Sequence, residues 1–176
     1  MKFVNANMML RWLMETFPVP GILMIRHPCA VVASQIRHGA WEHVTKDNMT
    51  VPAGLFERYE HFNIIFADLE TREKMLAFEW ALQTYVPLSS PRPHPWFLTT
   101  YEDLVSDGAS VLEDLFGALG RSVPEEAYDR LRTPSATASS ELEETAAQAQ
   151  LRTWRDRLSA EQVDRILQVT HAVGGP

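Results

Sequence analysis

The chain has 176 residues, of which 45% are apolar and 22% charged, and its formal net charge is −7. This length suits one domain with a buried core and is short for two, so we interpret residues 1–176 as a single domain. The acidic balance argues against a general binder of nucleic acid or of membrane surfaces, which would show a basic excess. It does not exclude a small anionic ligand on which a few arginines converge.

Cysteine content and hydropathy favour a cytoplasmic location. The single cysteine, Cys29, cannot form an internal disulfide, which suits a reducing compartment. The sequence predicts no membrane span and shows no signal-peptide cleavage pattern over residues 1–17. Cys29 lies at the start of a predicted helix, where a small packed residue is the simpler interpretation and a reactive thiol the alternative.

The first forty residues predict a helix, a strand and a second helix, after a strand stub at residues 1–4. Met9, Leu10, Leu13 and Met14 recur at helical spacing before Pro18. The apolar run 21–25 is typical of a strand buried on both faces of a parallel sheet. A helix from about Ala30 to His38 follows, with Pro28 in its first turn and Gly39 as its end.

The rest of the chain alternates in the same way, which predicts α/β architecture with a parallel sheet. No glycine-rich turn precedes the first helix, so the predicted sheet is incomplete at its N-terminal side. The predicted segments are a loop at 40–54, two helices over 55–85, a strand at 96–101, helices at 110–120 and from Pro124, a surface loop at 133–150, and a C-terminal helix capped by Ser159 with Gln162.

Arg26 and Ser34 form the first candidate site. Arg26 directly follows the strand at 21–25, and ligands of open parallel sheets bind at the carboxyl ends of strands. A forked guanidinium with a hydroxyl eight residues further on suits a phosphate monoester. The alternative is that Arg26 pairs with a carboxylate and Ser34 is a small residue at a helix crossing.

Four ordered segments resemble the sulfotransferases that use 3′-phosphoadenosine 5′-phosphosulfate (PAPS), in their bacterial form. Arg-x-Pro-x5-Ser after an apolar strand is similar to the 3′-phosphate motif of that family. The other three are "FLTTYEDL" (97–104), "VLEDLFGALG" (111–120) and "TWRDRLSAEQVDRI" (153–166). The resemblance implies a P-loop-NTPase-like parallel sheet flanked by helices, with PAPS as the co-substrate and no metal.

The resemblance also implies roles for individual residues. Arg26 and Ser34 would bind the 3′-phosphate of the cofactor, and Tyr101 would contact its adenine. The segment 132–140 takes the place of a loop that closes over the nucleotide, where Arg132, Ser135 and Thr137 are candidate contacts. A tyrosine that is simply half-buried is the alternative for Tyr101, and Trp80 and Trp154 are interpreted as core residues.

Two departures from the family pattern bear on activity. The sequence lacks the Pro-Lys/Arg-Ser-Gly-Thr-Ser/Thr turn that binds the 5′-phosphosulfate in that family, so we expect a fragment, a start assigned at an internal methionine, or a degenerate copy. Lys2 is in register with the family's lysine, but Val4 occupies the place of the catalytic histidine. The candidate bases are therefore His38, Glu42 and His43, with His27 as a further one.

We therefore predict a sulfotransferase-like enzyme that transfers a sulfuryl group from PAPS to a hydroxyl or amine of a small molecule or carbohydrate. This chain would supply the 3′-phosphate and adenine side of the site. The alternative is a non-catalytic nucleotide-binding remnant or interaction domain with the same fold. We expect neither nucleic acid nor a membrane as partner, while exposed apolar edges of an incomplete sheet favour self-association into a homo-oligomer.

Overall fold

A computed structural model of the chain describes residues 6–39, 41–49, 51–132, 149 and 151–174. These residues form a helix-rich domain with a small parallel sheet, and short 3₁₀ turns occur at Asn7–Met9, Lys46–Asn48 and Thr153–Asp156. The strands are β1 (Gly21–Ile25) and β2 (Trp96–Thr100), and the helices are α1 (Leu10–Thr16), α2 (Pro28–His38), α3 (Leu55–Arg58), α4 (His61–Ala67), α5 (Arg72–Leu88), α6 (Tyr101–Ser106), α7 (Gly108–Ala118), α8 (Glu125–Arg132) and α9 (Ala160–Val173).

The ends of the predicted elements follow local sequence signals. Helix α2 starts at Pro28 and ends where Gly39 adopts a left-handed conformation, with φ of 65°. Helix α9 carries the predicted capping box, in which the Ser159 hydroxyl accepts from the Gln162 backbone N–H. Both helix ends are therefore confirmed. The strand stub at 1–4 lies outside the described residues, as does most of the predicted loop at 133–150.

The sequence predicts two helices over 55–85, but the region contains α3, α4 and most of α5. The backbone leaves helical geometry at Tyr59, whose ring then stacks on Phe62 at a centroid distance of 4.9 Å. Between α4 and α5 the chain turns Leu69 into the core, where it is fully buried. Packing of these side chains accompanies two breaks in the helical backbone, one more than the sequence predicts.

Strands β1 and β2 pair in parallel, which confirms the coarse α/β prediction. Their register runs from Gly21 opposite Trp96 to Ile25 opposite Thr100. A Cβ at Gly21 would lie 2.4 Å from the Met14 sulfur, so any larger residue there requires the flexible Met14 side chain to move. Since paired parallel strands end at the same edge of a sheet, the residues that follow Ile25 and Thr100 emerge side by side.

The prediction that β1 is buried on both faces is wrong. Leu23 is 2% exposed, whereas Ile22 and Met24 are 48% and 47% exposed. Successive side chains of a strand point to opposite faces, so Ile22 and Met24 share one face and Leu23 lies on the other. On β2 the pattern is reversed, because Leu98, opposite Leu23, is 44% exposed and Thr99, opposite Met24, is 8% exposed.

The hydrophobic core lies among the helices, with α5 at its centre packed against α9 and α2. Phe62, Phe78 and Ile166 are fully buried there, and each contributes about 2 kcal/mol through the hydrophobic effect. Ile25 and the predicted core residue Trp80 also join this cluster. Helix α5 thereby connects the core to the end of β1.

Candidate functional site

The ends of the two strands bring Arg26 and Tyr101 together. Tyr101 follows Thr100 as the first residue of α6, because the Thr100 hydroxyl accepts from the Asp103 backbone N–H and caps that helix. The Arg26 guanidinium carbon lies 4.5 Å from the centroid of the Tyr101 ring. This cation–π distance confirms that both residues belong to one edge of the sheet.

The Arg26 guanidinium has no anionic partner among the described residues. No described carboxylate lies within ion-pair distance of it, and its Nε is buried without a hydrogen-bond partner. The described residues therefore give no support to the alternative in which Arg26 pairs with a carboxylate. A half-buried cation with unused donors is a suitable contact for an anion.

The backbone around Arg26 is fixed from two sides. From α5, the Trp80 indole Nε1 donates to the Arg26 carbonyl oxygen at 3.1 Å. From α6, a Glu102 carboxylate oxygen accepts from the His27 backbone N–H at 3.0 Å. The turn between β1 and α2 is thus attached both to the core and to the head of the helix that carries Tyr101.

His27 links this turn to the C-terminal part of the chain. Its Nδ1 accepts from the Cys29 backbone N–H at 3.2 Å and so caps α2. Its ring stacks on Trp154, with centroids 4.7 Å apart and planes 13° from parallel. Burial lowers the pKa of the His27 imidazole, against a weaker opposing effect of the Glu102 carboxylate and with a further lowering by Arg155.

These contacts predict a pH-dependent stability that comes from His27. Folding favours the neutral imidazole, so the contribution is present above the ordinary pKa of about 6.5 and is lost as the pH falls through the lower pKa of the folded state. Protonation of Nδ1 removes a cap worth about 1 kcal/mol. We expect His27→Asn, whose amide oxygen can still cap α2, to lose less free energy of unfolding between pH 8 and pH 5.

Thermal or urea unfolding over that pH range measures the effect. His43→Asn is the control, because His43 is an exposed residue of a turn. It should keep the pH dependence of the unsubstituted protein. If His27→Asn also keeps it, the assignment of the titration to His27 is wrong.

Ser34 lies two turns into α2, on the same face as the N-cap residue His27 and about 10 Å further along the axis. Its side chain is partly exposed. No hydrogen bond or ion pair joins Ser34 to Arg26 in the described residues, and the guanidinium instead faces the Tyr101 ring. The structure therefore joins Arg26 to Tyr101 directly, and a shared phosphate between Arg26 and Ser34 stays a prediction.

Three of the four predicted bases lie together at the C-terminal end of α2, whereas the fourth, His27, caps its N-terminal end beside Arg26. His38 is its last residue, Glu42 and His43 follow in the next turn, and all three are exposed. The Glu42 carboxylate lies beside Gly39, where an added Cβ would be 3.1 Å from its oxygen. This end of α2 is about 15 Å along the axis from Pro28, so the described structure separates these residues from the strand ends.

Several predicted contacts fall outside the described part of the chain. Arg132 is the last residue of α8, but its side chain is not among those described. Ser135 and Thr137 lie in the segment 133–148, and Lys2 and Val4 lie in 1–5, all of which are outside it. Their predicted roles stay predictions.

Cys29 is packed in the core rather than presented to a ligand. Its side chain is fully buried, and burial raises the pKa of its thiol to about 11. A thiol with this pKa holds almost no thiolate near neutral pH, which supports the interpretation of Cys29 as a packed residue.

The described residues show neither a metal-binding cluster nor a membrane-spanning helix. No group of three or more histidine, cysteine or carboxylate side chains in these residues is arranged to hold a metal ion. No described helix is both long enough and apolar enough to cross a lipid bilayer.

We found no family model, no curated protein and no solved structure that matches the chain.

Sequence reasoning missed Glu102 and treated Trp80 and Trp154 as core residues alone. Trp80 is indeed 9% exposed, but its indole also fixes the Arg26 carbonyl group. One signal in the sequence points to Glu102: a threonine three residues before an aspartate is typical of a helix start. That signal moves the helix boundary to Tyr101 and places Glu102 in the first turn beside the strand ends.

Proposed function

We propose that this chain supplies the 3′-phosphate and adenine side of a PAPS site in a sulfotransferase-like protein. The observation that carries the proposal is the Arg26 guanidinium, which faces the Tyr101 ring at the carboxyl ends of two parallel strands and has no described anionic partner. The ordered resemblance of four sequence segments to that family supports the same assignment. In this proposal Arg26 and Ser34 bind the 3′-phosphate, Tyr101 contacts the adenine, and Arg132 adds a contact from α8.

The backbone contacts of Arg26 suit this role. Phosphate binding by a free arginine requires the side chain and its turn to be ordered when the ligand arrives. Here the Arg26 carbonyl oxygen and the His27 N–H are already hydrogen-bonded to Trp80 and Glu102. Part of the ordering cost is therefore met in the folded protein before any nucleotide binds.

The proposed reaction is an in-line sulfuryl transfer. The oxygen or nitrogen of the acceptor attacks sulfur, the bond from sulfur to the bridging oxygen breaks, and adenosine 3′,5′-bisphosphate leaves with the bond electrons. A base removes the acceptor proton, for which His38, Glu42 and His43 are the proposed candidates. The acceptor is proposed to be a hydroxyl or amine of a small molecule or carbohydrate, and copies of the chain are proposed to associate through the exposed Ile22 and Met24 face.

Nucleotide selectivity tests this proposal. We expect adenosine 3′-monophosphate to bind within about threefold of adenosine 3′,5′-bisphosphate, and adenosine 5′-monophosphate to bind at least about tenfold more weakly. The reason is that the proposed contacts address the 3′-phosphate, and a hydrogen bond to a charged group contributes about 1.5 kcal/mol or more. Isothermal titration calorimetry measures all three, and equal or tighter binding of the 5′-monophosphate would contradict the assignment.

A non-catalytic nucleotide-binding domain is the second candidate. It is favoured by the position of His38, Glu42 and His43, which lie at the opposite end of α2 from Arg26. Incubation with PAPS and a panel of hydroxyl and amine acceptors distinguishes the two candidates. Sulfuryl transfer would exclude the second candidate, whereas binding of the bisphosphate without transfer is expected of the chain by itself under both, since the first proposal assigns it only one side of the site.

A further inference from the structure

Glu102 connects the two turns from which the candidate site is built. It follows Tyr101 in the first turn of α6, and its carboxylate accepts from the backbone N–H of His27, which follows Arg26. The two residues are 75 positions apart in sequence, and this hydrogen bond is partly buried. The residue after Tyr101 is thus hydrogen-bonded to the residue after Arg26.

The carboxylate of Glu102 does not neutralise Arg26. No ion pair joins the two side chains, although they occupy adjacent turns. A negative charge beside an anion site weakens anion binding through like-charge repulsion. The contact that the structure shows for Glu102 is with the backbone, so its value to the site lies in its oxygen as a hydrogen-bond acceptor.

We propose that Glu102 is a positioning residue of the anion site. By accepting a hydrogen bond from the His27 N–H, Glu102 attaches the Arg26 turn to the start of α6. The positions of the Arg26 guanidinium and the Tyr101 ring are thereby fixed relative to each other. Without this acceptor the partly buried N–H loses its partner, and the Arg26 turn loses its hydrogen bond to α6 while it keeps its contacts with Trp80 and Trp154. The nucleotide as the ligand rests on the proposed function, whereas the attachment of the turn does not.

The test compares Glu102→Gln with Glu102→Ala in the full chain. Glutamine retains an acceptor oxygen and loses the charge, whereas alanine loses both. We expect Glu102→Ala to bind adenosine 3′,5′-bisphosphate about tenfold more weakly, and Glu102→Gln to bind it as tightly as the unsubstituted protein or up to a few fold more tightly. Asp103→Ala is the matched control, because it removes an exposed carboxylate from the same helical turn and should leave affinity unchanged.

Hydrogen exchange of the His27 amide gives a second measurement that needs no ligand. Exchange should accelerate at least tenfold in Glu102→Ala and stay slow in Glu102→Gln and Asp103→Ala. Equal exchange in all four proteins, or equal loss of affinity in the glutamine and alanine variants, overturns the positioning role. If the amide responds as expected but the unsubstituted protein does not bind the bisphosphate, the attachment stands and the proposed function fails.

Discussion

Arg26→Ala should weaken the binding of adenosine 3′,5′-bisphosphate by about 100-fold. A guanidinium gives a phosphate two charge-assisted hydrogen bonds, each worth about 1.5 kcal/mol or more, and the loss of both amounts to two orders of magnitude. The described residues offer no other cation at the ends of β1 and β2 that contacts Tyr101. Isothermal titration calorimetry at one fixed salt concentration measures the change.

Arg26→Lys should fall between alanine and the native residue. An ammonium group keeps the charge but lacks the planar fork. It therefore binds phosphate oxygens and stacks on the Tyr101 ring less well than a guanidinium does. Arg58→Ala is the matched control, because the Arg58 guanidinium carbon also lies over a tyrosine ring, 5.6 Å from the Tyr59 centroid, on the separate helix α3. Unchanged affinity in Arg26→Ala, or an equal loss in Arg58→Ala, would remove Arg26 from the site.

The stability of the Arg26→Ala protein separates a binding role from a structural one. The substitution loses the contact with Tyr101, but it also removes a buried Nε that has no hydrogen-bond partner. These effects oppose each other, so we expect the free energy of unfolding to stay within about 1 kcal/mol of the native value. A large loss of binding with little loss of stability is the behaviour of a residue retained for its ligand.

Local signals in the sequence were sufficient for the elements that position Arg26. The apolar run 21–25, Pro28 and Gly39 fix β1 and both ends of α2 through strand hydrophobicity and backbone geometry. The same kind of signal identified β2 and the capping box of α9. The parallel pairing of β1 with β2 followed from their alternation with helices, and it placed Arg26 and Tyr101 at one edge.

The contacts that complete the site depend on tertiary packing. The stack of His27 on Trp154 and the hydrogen bond from His27 to Glu102 join residues that are far apart in sequence. No periodicity or spacing encodes such pairs, since they form only after α6 and the Thr153–Asp156 turn have packed against the start of α2. Exposure of Ile22 and Met24 was missed for a similar reason: an apolar strand does not reveal how many of its faces are covered.

The second large effect on stability concerns the interface between α5 and α9, since α5 carries the Trp80 that contacts Arg26. The Arg165 Nε lies 2.6 Å from a Glu73 oxygen, and the Glu73 side chain is 9% exposed whereas that of Arg165 is 35% exposed. Arg165→Ala therefore leaves a buried carboxylate without its cation, and we expect it to lower the free energy of unfolding by about 3 kcal/mol. Glu73→Ala should cost less, about 1 kcal/mol beyond lost packing, because water can solvate the remaining guanidinium.

The pH dependence identifies the buried carboxylate as the cause. Burial by itself would raise the pKa of Glu73, but its backbone hydrogen bond and Arg165 lower that pKa below the ordinary value. The native pair therefore stabilises the fold at pH values above the ordinary pKa, and this contribution is lost as the pH falls through the lower pKa of the folded state. Without Arg165 the pKa of Glu73 rises above its value in the native protein, because burial is then opposed only by the remaining hydrogen bonds, and protonation in acid relieves the uncompensated charge. The deficit of Arg165→Ala in urea unfolding should thus shrink from pH 7 to pH 4.

Arg11→Ala provides the contrast, because Arg11 and Glu15 form an exposed pair 2.8 Å apart on α1. It should change stability by less than about 0.5 kcal/mol at any of these pH values. A constant deficit for Arg165→Ala across the pH range would mean that the stability loss comes from the packing of the Arg165 side chain and not from its charge. The expected dependence instead assigns to the Glu73–Arg165 pair a contribution that adds to the apolar packing of α9 against α5, the helix whose Trp80 fixes the Arg26 turn.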